Sequence, residues 1–200
     1  MTSLIIGCSE LILGGQRSGK SRRAELLACE WLAASPEHQA VLIATGLPSD
    51  AEMRARITRH QVDRAERVPG MRTVEEPLKL AEAIQQHSVV GTLVVVDCLT
   101  LWLTNWLMPM EAKNGPYGES NVPPALVDIA QVAIVSGAIA AAPGPVVLVS
   151  NEIGLGVIPM GAATRAFVDE LGRLNQEVAR VCQRVTLMAA GLPLTLKDER

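Results

Sequence analysis

Short apolar runs alternate along the chain with longer segments whose apolar positions recur every three or four residues. That alternation predicts βα units: an α/β fold with a mainly parallel sheet flanked by helices. The predicted strands are residues 11–13, 40–45, 71–74, 92–96 and 146–149, with 185–188 and 194–196 closing the sheet. Residues 92–96 form a β-branched run between Gly91 and Asp97, the pattern of a strand buried on both faces. The predicted helices are 20–34, 49–67, 77–86, 99–107, 125–142 and 164–183. The last places Phe167, Leu171, Leu174, Val178 and Val181 on one face. Ser49 and Glu52 are spaced for a capping box at the start of the second helix.

The chain has 200 residues and no internal repeat, so we expect a single nucleotide-binding domain over 1–200. Residues 1–8 read as an N-terminal extension, and 109–124, rich in proline and glycine, as a loop insertion. A net charge of −3 gives no electrostatic reason to expect nucleic acid. No apolar run approaches the roughly 18 residues that span a bilayer. The apolar start lacks a basic leader, so no signal peptide or stable membrane insertion is expected and the location reads as cytoplasmic. Cys8, Cys29, Cys98 and Cys182 form no C-x-x-C pair and lack histidines at zinc spacing, so they read as reduced apolar fillers.

The chemistry begins where the first strand ends. Gly14, Gly15, Gln16, Arg17, Ser18, Gly19, Lys20 and Ser21 match G-x-x-x-x-G-K-[ST], the P-loop or Walker A pattern. Glycines let the backbone wrap phosphate oxygens, and the amides at the following helix N-terminus favour an anion. Lys20 adds a positive charge toward the outer phosphates, and the Ser21 hydroxyl can ligate Mg²⁺. A second Mg²⁺ contact is expected from an acid at a nearby strand end. Asp97 fits that place, and it also fits the N-cap of the helix over 99–107. Arg17 reads either as a phosphate contact or as a solvated loop residue.

Of three histidines, His38 and His87 lie in polar, turn-like stretches and read as surface residues. His60 follows Met53 by seven and Ile57 by three, so the three share a helical face. A buried histidine satisfied by a neighbour and a functional histidine both fit that spacing.

With these parts in view, the sequence resembles the bifunctional adenosylcobinamide kinase/adenosylcobinamide-phosphate guanylyltransferase family of cobalamin synthesis. The resemblance is carried by the P-loop from Leu13 to Arg22, by Ile43-Ala44-Thr45, and by Glu52-Met53 through Arg56-Ile57 to His60. It continues in Thr73-Val74-Glu75-Glu76-Pro77, Asp97-Cys98-Leu99-Thr100 with Thr104-Asn105, and Ser150-Asn151-Glu152-Ile153-Gly154-Leu155-Gly156 with Pro159. Gly172-Arg173-Leu174-Asn175-Gln176 and Ala190-Gly191-Leu192-Pro193 complete it.

The resemblance implies a RecA-like P-loop NTPase fold and two reactions. ATP or GTP phosphorylates adenosylcobinamide, and GMP then passes from GTP through a guanylylated histidine, matching His60, to give adenosylcobinamide-GDP. It implies catalytic roles for His60 and Lys20. It implies nucleotide contacts at the P-loop, Thr45, Gly46 and Leu47, at Gln61, Val62, Asp63 and Arg64, and at Glu75 and Asp97. Mg²⁺ on Ser21 and Asp97, and a homo-oligomer, with a trimer known in the family, are implied too. Glu75 reads either as a ribose contact or as a cap for the helix over 77–86. The turn over 151–156 reads either as a lining of the corrinoid side or as structure. The sequence departs from the family after His60, with about three extra residues and Met71 where a tryptophan is usual. No N-K-x-D motif is present, so guanine preference rests on the resemblance. A simple P-loop kinase with a structural His60, and a non-catalytic RecA-like nucleotide-binding subunit, are the competing readings.

Overall fold

The computed structural model describes residues 9–108 and 129–199. The N-terminal extension, the loop over 109–124 and the first residues of the helix expected from 125 lie outside them. The elements in chain order are β1 (Ser9–Gly14), α1 (Lys20–Ala34), β2 (Gln39–Ala44), α2 (Ala51–Arg67), β3 (Arg72–Glu75), α3 (Leu80–His87) and β4 (Thr92–Asp97). They continue with α4 (Leu99–Leu107), α5 (Ile129–Ala140), β5 (Val146–Val149), α6 (Ala162–Val181), β6 (Arg184–Ala189) and β7 (Leu192–Asp198).

The seven strands run in the order β3-β2-β4-β5-β1-β6-β7. Every pairing is parallel except β6 with β7, which are antiparallel. This agrees with the α/β, mainly parallel expectation. The runs at β2, β4 and β5 are apolar on both faces because helices cover both sides of the sheet. On one face Leu11, Ile43, Val94, Val96, Val146 and Leu148 pack with residues of α3, α4, α5 and α6. On the other, Ile12, Leu42, Leu93, Val95, Val147 and Val149 pack on Ala24, Leu27 and Ala28 of α1. The apolar face expected for the last helix is the face α6 uses: Leu171, Leu174 and Val178 are buried, with Phe167 and Val181 packed at its rim. Among the described residues, no helix is long and apolar enough to cross a membrane.

Three of the boundary shifts have local reasons. β1 starts at Ser9 rather than Leu11, because Glu10 is buried in an ion pair with Arg23 of α1. α2 is capped by Asp50, whose Oδ1 accepts from the Met53 amide at 2.7 Å, not by Ser49. α3 begins at Leu80, not Pro77, because Glu76 Oε1 accepts from the Leu78 and Lys79 amides and holds the preceding turn.

Candidate active site

The sheet register assembles the site. Glu75, Ala44, Asp97, Val149 and Ile12 stand in one row across β3, β2, β4, β5 and β1. The loops that follow these strands therefore open on one edge, at the carboxyl ends of the strands, where open parallel sheets bind ligands.

The P-loop crosses from β1 to α1 on that edge. Gly14 has φ 150°, and a Cβ there would stand 2.5 Å from the Met188 carbonyl oxygen of β6, so only glycine lets the strand turn upward. Lys20 is buried and its Nζ donates to the Gly15 carbonyl at 2.7 Å. Burial lowers its pKa below the usual lysine value, against the attraction of Asp97. Gly15, Gln16 and Arg17 are exposed, while Ser18 is buried and its hydroxyl has no hydrogen-bond partner among the described residues.

A cleft runs from the first turn of α1 to α2. It is lined by Ser21, Gly46, Arg56, His60, Gln61, Arg64, Thr73, Glu75 and Asp97, with Met53, Ile57 and Leu101 as its apolar floor. α2 stands away from the sheet: Arg64 is its one buried residue among the seventeen. Its last turn is anchored by Val68, which is buried against the core, and by Cys29 Sγ donating to the Arg67 carbonyl. His60 is exposed and makes no hydrogen bond among the described residues. The reading of a buried histidine satisfied by a neighbour therefore fails. The face it shares with Met53 and Ile57 is real, but it lines a cleft rather than the core. Arg64 is 8% exposed, and its guanidinium has no hydrogen-bond or ion-pair partner among the described residues. Such a cation is costly unless an anion arrives. Gln61 Nε2 donates to Glu75 Oε1 at 3.2 Å across the cleft.

This arrangement joins a phosphate loop, free cations and an exposed imidazole. A family model described as cobinamide kinase / cobinamide phosphate guanyltransferase matches residues 10–196. The chain belongs to this family. It is 45% identical over 191 residues to the bifunctional adenosylcobalamin biosynthesis protein CobP of Pseudomonas aeruginosa, covering 95% of this chain and 98% of that one. The CobU protein of Escherichia coli with the same description is 34% identical over 187 residues, covering 94% and 98%. The flagellar accessory protein FlaH of Methanocaldococcus jannaschii shares the fold, with TM-score 0.50 and 12% identity over 96% of this chain and 79% of that one.

Not every residue implied by the family resemblance reaches the cleft. Thr45 is 0% exposed, and its hydroxyl donates to the Cys98 carbonyl at 2.7 Å and accepts from the Cys98 amide at 2.9 Å. Its backbone amide donates to Asp97 O and its carbonyl accepts from Asn105, so each polar group of Thr45 is engaged in positioning the β4 end. Leu47 lines a smaller neighbouring pocket with Ser49, Thr104 and Asn105. Val62 is exposed, and Asp63, which pairs with Arg67 at 3.4 Å, also lies outside the cleft lining, because Arg56, Ile57, His60, Gln61 and Arg64 make up one face of the helix and positions 62 and 63 fall on the other. Neither helix-cap alternative holds. Glu76, not Glu75, caps the turn before α3, and the N-cap of α4 is Cys98 with no side-chain bond. Both carboxylates are thereby left to the cleft.

The structure also adds residues. Arg56, Thr73, Cys98 and Leu101 line the cleft without having been singled out as contacts. Arg56, His60 and Arg64 follow each other at four-residue spacing, a signal that helical periodicity carries. Burial, with Asp97 alongside, pushes the Cys98 thiol up to about 12, so it is protonated at neutral pH and no nucleophile. Cys29, Cys98 and Cys182 are free thiols. His38 is half-buried, not on the surface: its ring stacks on Trp31 with centroids 3.8 Å apart.

Proposed function

We propose that this chain carries out both reactions of its family, with His60 as the guanylyl carrier. The observation that carries this reading is that His60, exposed and without a partner among the described residues, lines the same cleft as Ser21 and Asp97. In the kinase step the adenosylcobinamide hydroxyl oxygen attacks the γ-phosphorus of ATP or GTP, the bond from that phosphorus to the β,γ-bridging oxygen breaks, and the nucleoside diphosphate leaves while the hydroxyl proton passes to solvent. In the second step the imidazole lone pair attacks the α-phosphorus of GTP, the bridging P–O bond breaks and pyrophosphate leaves. The phosphate of the first product then attacks the same phosphorus, breaking the N–P bond, giving adenosylcobinamide-GDP and free His60. A neutral imidazole is a competent nucleophile near pH 7, and covalent transfer divides one hard displacement into two.

Arg56, Arg64 and Lys20 supply the positive charge that phosphate oxygens require. Ser21 and Asp97 make no side-chain bonds among the described residues, and one hydroxyl with one carboxylate is a donor set that suits Mg²⁺ shared with phosphates. The ion would neutralise phosphate charge when bound. Glu75, which accepts from Gln61, would take a ribose hydroxyl. A cytoplasmic homo-oligomer, a trimer by likeness to the family, is the assembly we propose.

The test is α-labelled GTP with Mg²⁺ on wild type and His60→Ala, read after denaturation. We expect an acid-labile, base-stable label on wild type that His60→Ala lacks while it retains the kinase reaction. An unlabelled but GTP-binding wild type would remove the covalent step.

A further inference from the structure

The turn after β5 holds a polar group that the cleft of His60 does not use. In the strand order β5 stands between β4, which ends at Asp97, and β1, which ends in the P-loop. Val149 pairs in register with Asp97 on one side and with Ile12 on the other. Asn151 follows two residues later, as Gly14 follows Ile12. It therefore lies on the sheet edge between the phosphate loop and the metal-binding carboxylate proposed above.

The backbone of Asn151 is fixed from several elements. Its amide donates to Thr100 Oγ1 of α4 at 2.9 Å, and its carbonyl accepts from Asn175 Nδ2 of α6 at 3.0 Å. The next amide, of Glu152, donates to the Gly14 carbonyl at 3.1 Å, and the previous one, of Ser150, to the Ile12 carbonyl at 3.0 Å. Two helices and β1 thus clamp three consecutive residues, while the half-buried side chain of Asn151 makes no hydrogen bond among the described residues. Its neighbour differs: Glu152 Oε1 accepts from the Gly154 amide at 3.1 Å and holds the turn. A rigidly mounted amide with no internal partner is a donor made ready for a ligand. Between a phosphate loop and a carboxylate, that ligand is a phosphoryl oxygen.

We propose that Asn151 is a catalytic residue of the kinase step, its carboxamide donating to an oxygen of the phosphoryl group in flight. The donation strengthens as charge develops on that oxygen, so it acts on turnover rather than on nucleotide binding. The proposal rests on the kinase reading above and adds a residue to it.

The experiment is steady-state phosphorylation of adenosylcobinamide by wild type, Asn151→Ala and the isosteric Asn151→Asp, with a thermal melt of each. We expect kcat to fall about 100-fold in both variants, with KM for the nucleotide within about threefold and the melt unchanged. Asn151→Asp keeps the shape of the turn but loses the N–H donors, so a residue that merely filled space would tolerate it. Wild-type kcat in Asn151→Asp, or loss of kcat only together with nucleotide binding, overturns the proposal. Absence of any kinase turnover in wild type removes the underlying reading as well, which the variants alone cannot do.

Discussion

Lys20 Nζ lies 2.7 Å from the carbonyl oxygen of Gly15, so the P-loop lysine is bonded to the loop it serves. A polyphosphate must draw the ammonium off that carbonyl. Burial already lowers the Lys20 pKa below 10.5 in the free protein, and phosphate charge will raise it again. Between those two values nucleotide binding takes up a proton, so affinity should fall as pH rises through that window, by at most about tenfold per unit. Titrations of GTP at increasing alkaline pH check this. Lys20→Arg, charged throughout, should bind with a flatter profile.

Arg64 gives an opposite-signed pair of effects. Its guanidinium is buried without a partner among the described residues, so Arg64→Met should leave the stability of the free protein unchanged or raise it. The same change should weaken GTP binding roughly 10- to 100-fold, as loss of a charge-assisted bond does. Chemical denaturation and nucleotide titration on one variant measure both. A destabilised Arg64→Met with normal GTP affinity would contradict the anion-binding role.

Thr45→Val removes the hydroxyl that bridges the amide and carbonyl of Cys98, leaving the buried amide unpaired while the carbonyl still accepts from the Trp102 amide at 3.1 Å. We expect a loss of about 1–3 kcal/mol in unfolding free energy, despite the near-identical shape of valine. Any loss of GTP affinity should be indirect, through displacement of Asp97, and should be relieved by Thr45→Ser.

Glu10 and Arg23 form a buried pair, with Arg23 Nε at 2.9 Å and Nη2 at 2.8 Å from Glu10 Oε1, which also accepts from Thr186 at 2.8 Å. Arg23→Met strands part of that charge and should cost about 3–5 kcal/mol. The Glu10→Leu, Arg23→Met double variant should cost less than the sum of the two single changes. A double-mutant cycle in denaturant checks the coupling.

His87 sits 3.3 Å from Arg72 Nη2, and burial, aided by that positive charge, lowers its pKa below 6.5. Between the lowered value and 6.5 the unfolded chain holds the proton and the folded chain does not. Stability is therefore lost as pH falls from 6.5 through that window. Melts of wild type and His87→Gln over this range should show a shallower acid loss in the variant.

Most of the architecture was legible in the chain because apolar periodicity and burial are the same property seen twice. β4 and β5 were plain as β-branched runs, and α6 as a five-residue stripe. Glu10 hid the start of β1, since a lone carboxylate reads as surface until Arg23 arrives from another element. The P-loop was legible because its chemistry is local: glycines, lysine and serine act within eight consecutive residues.

The sequence by itself determined the parallel sheet, the phosphate loop and the family to which the chain belongs. Tertiary structure decided which residues share a space. Thr45 follows the end of β2 and Asp97 ends β4, yet one is bonded to the Cys98 backbone and fully buried and the other opens to the cleft. His60 and Arg64 of α2, Glu75 of β3 and Ser21 of α1 come from three separate segments, and only the parallel register carries them to one edge. Spacing along a chain fixes neighbours within a helix or strand. Which neighbour a polar side chain meets across elements is set by packing, and with it whether that side chain is satisfied or left free for a ligand.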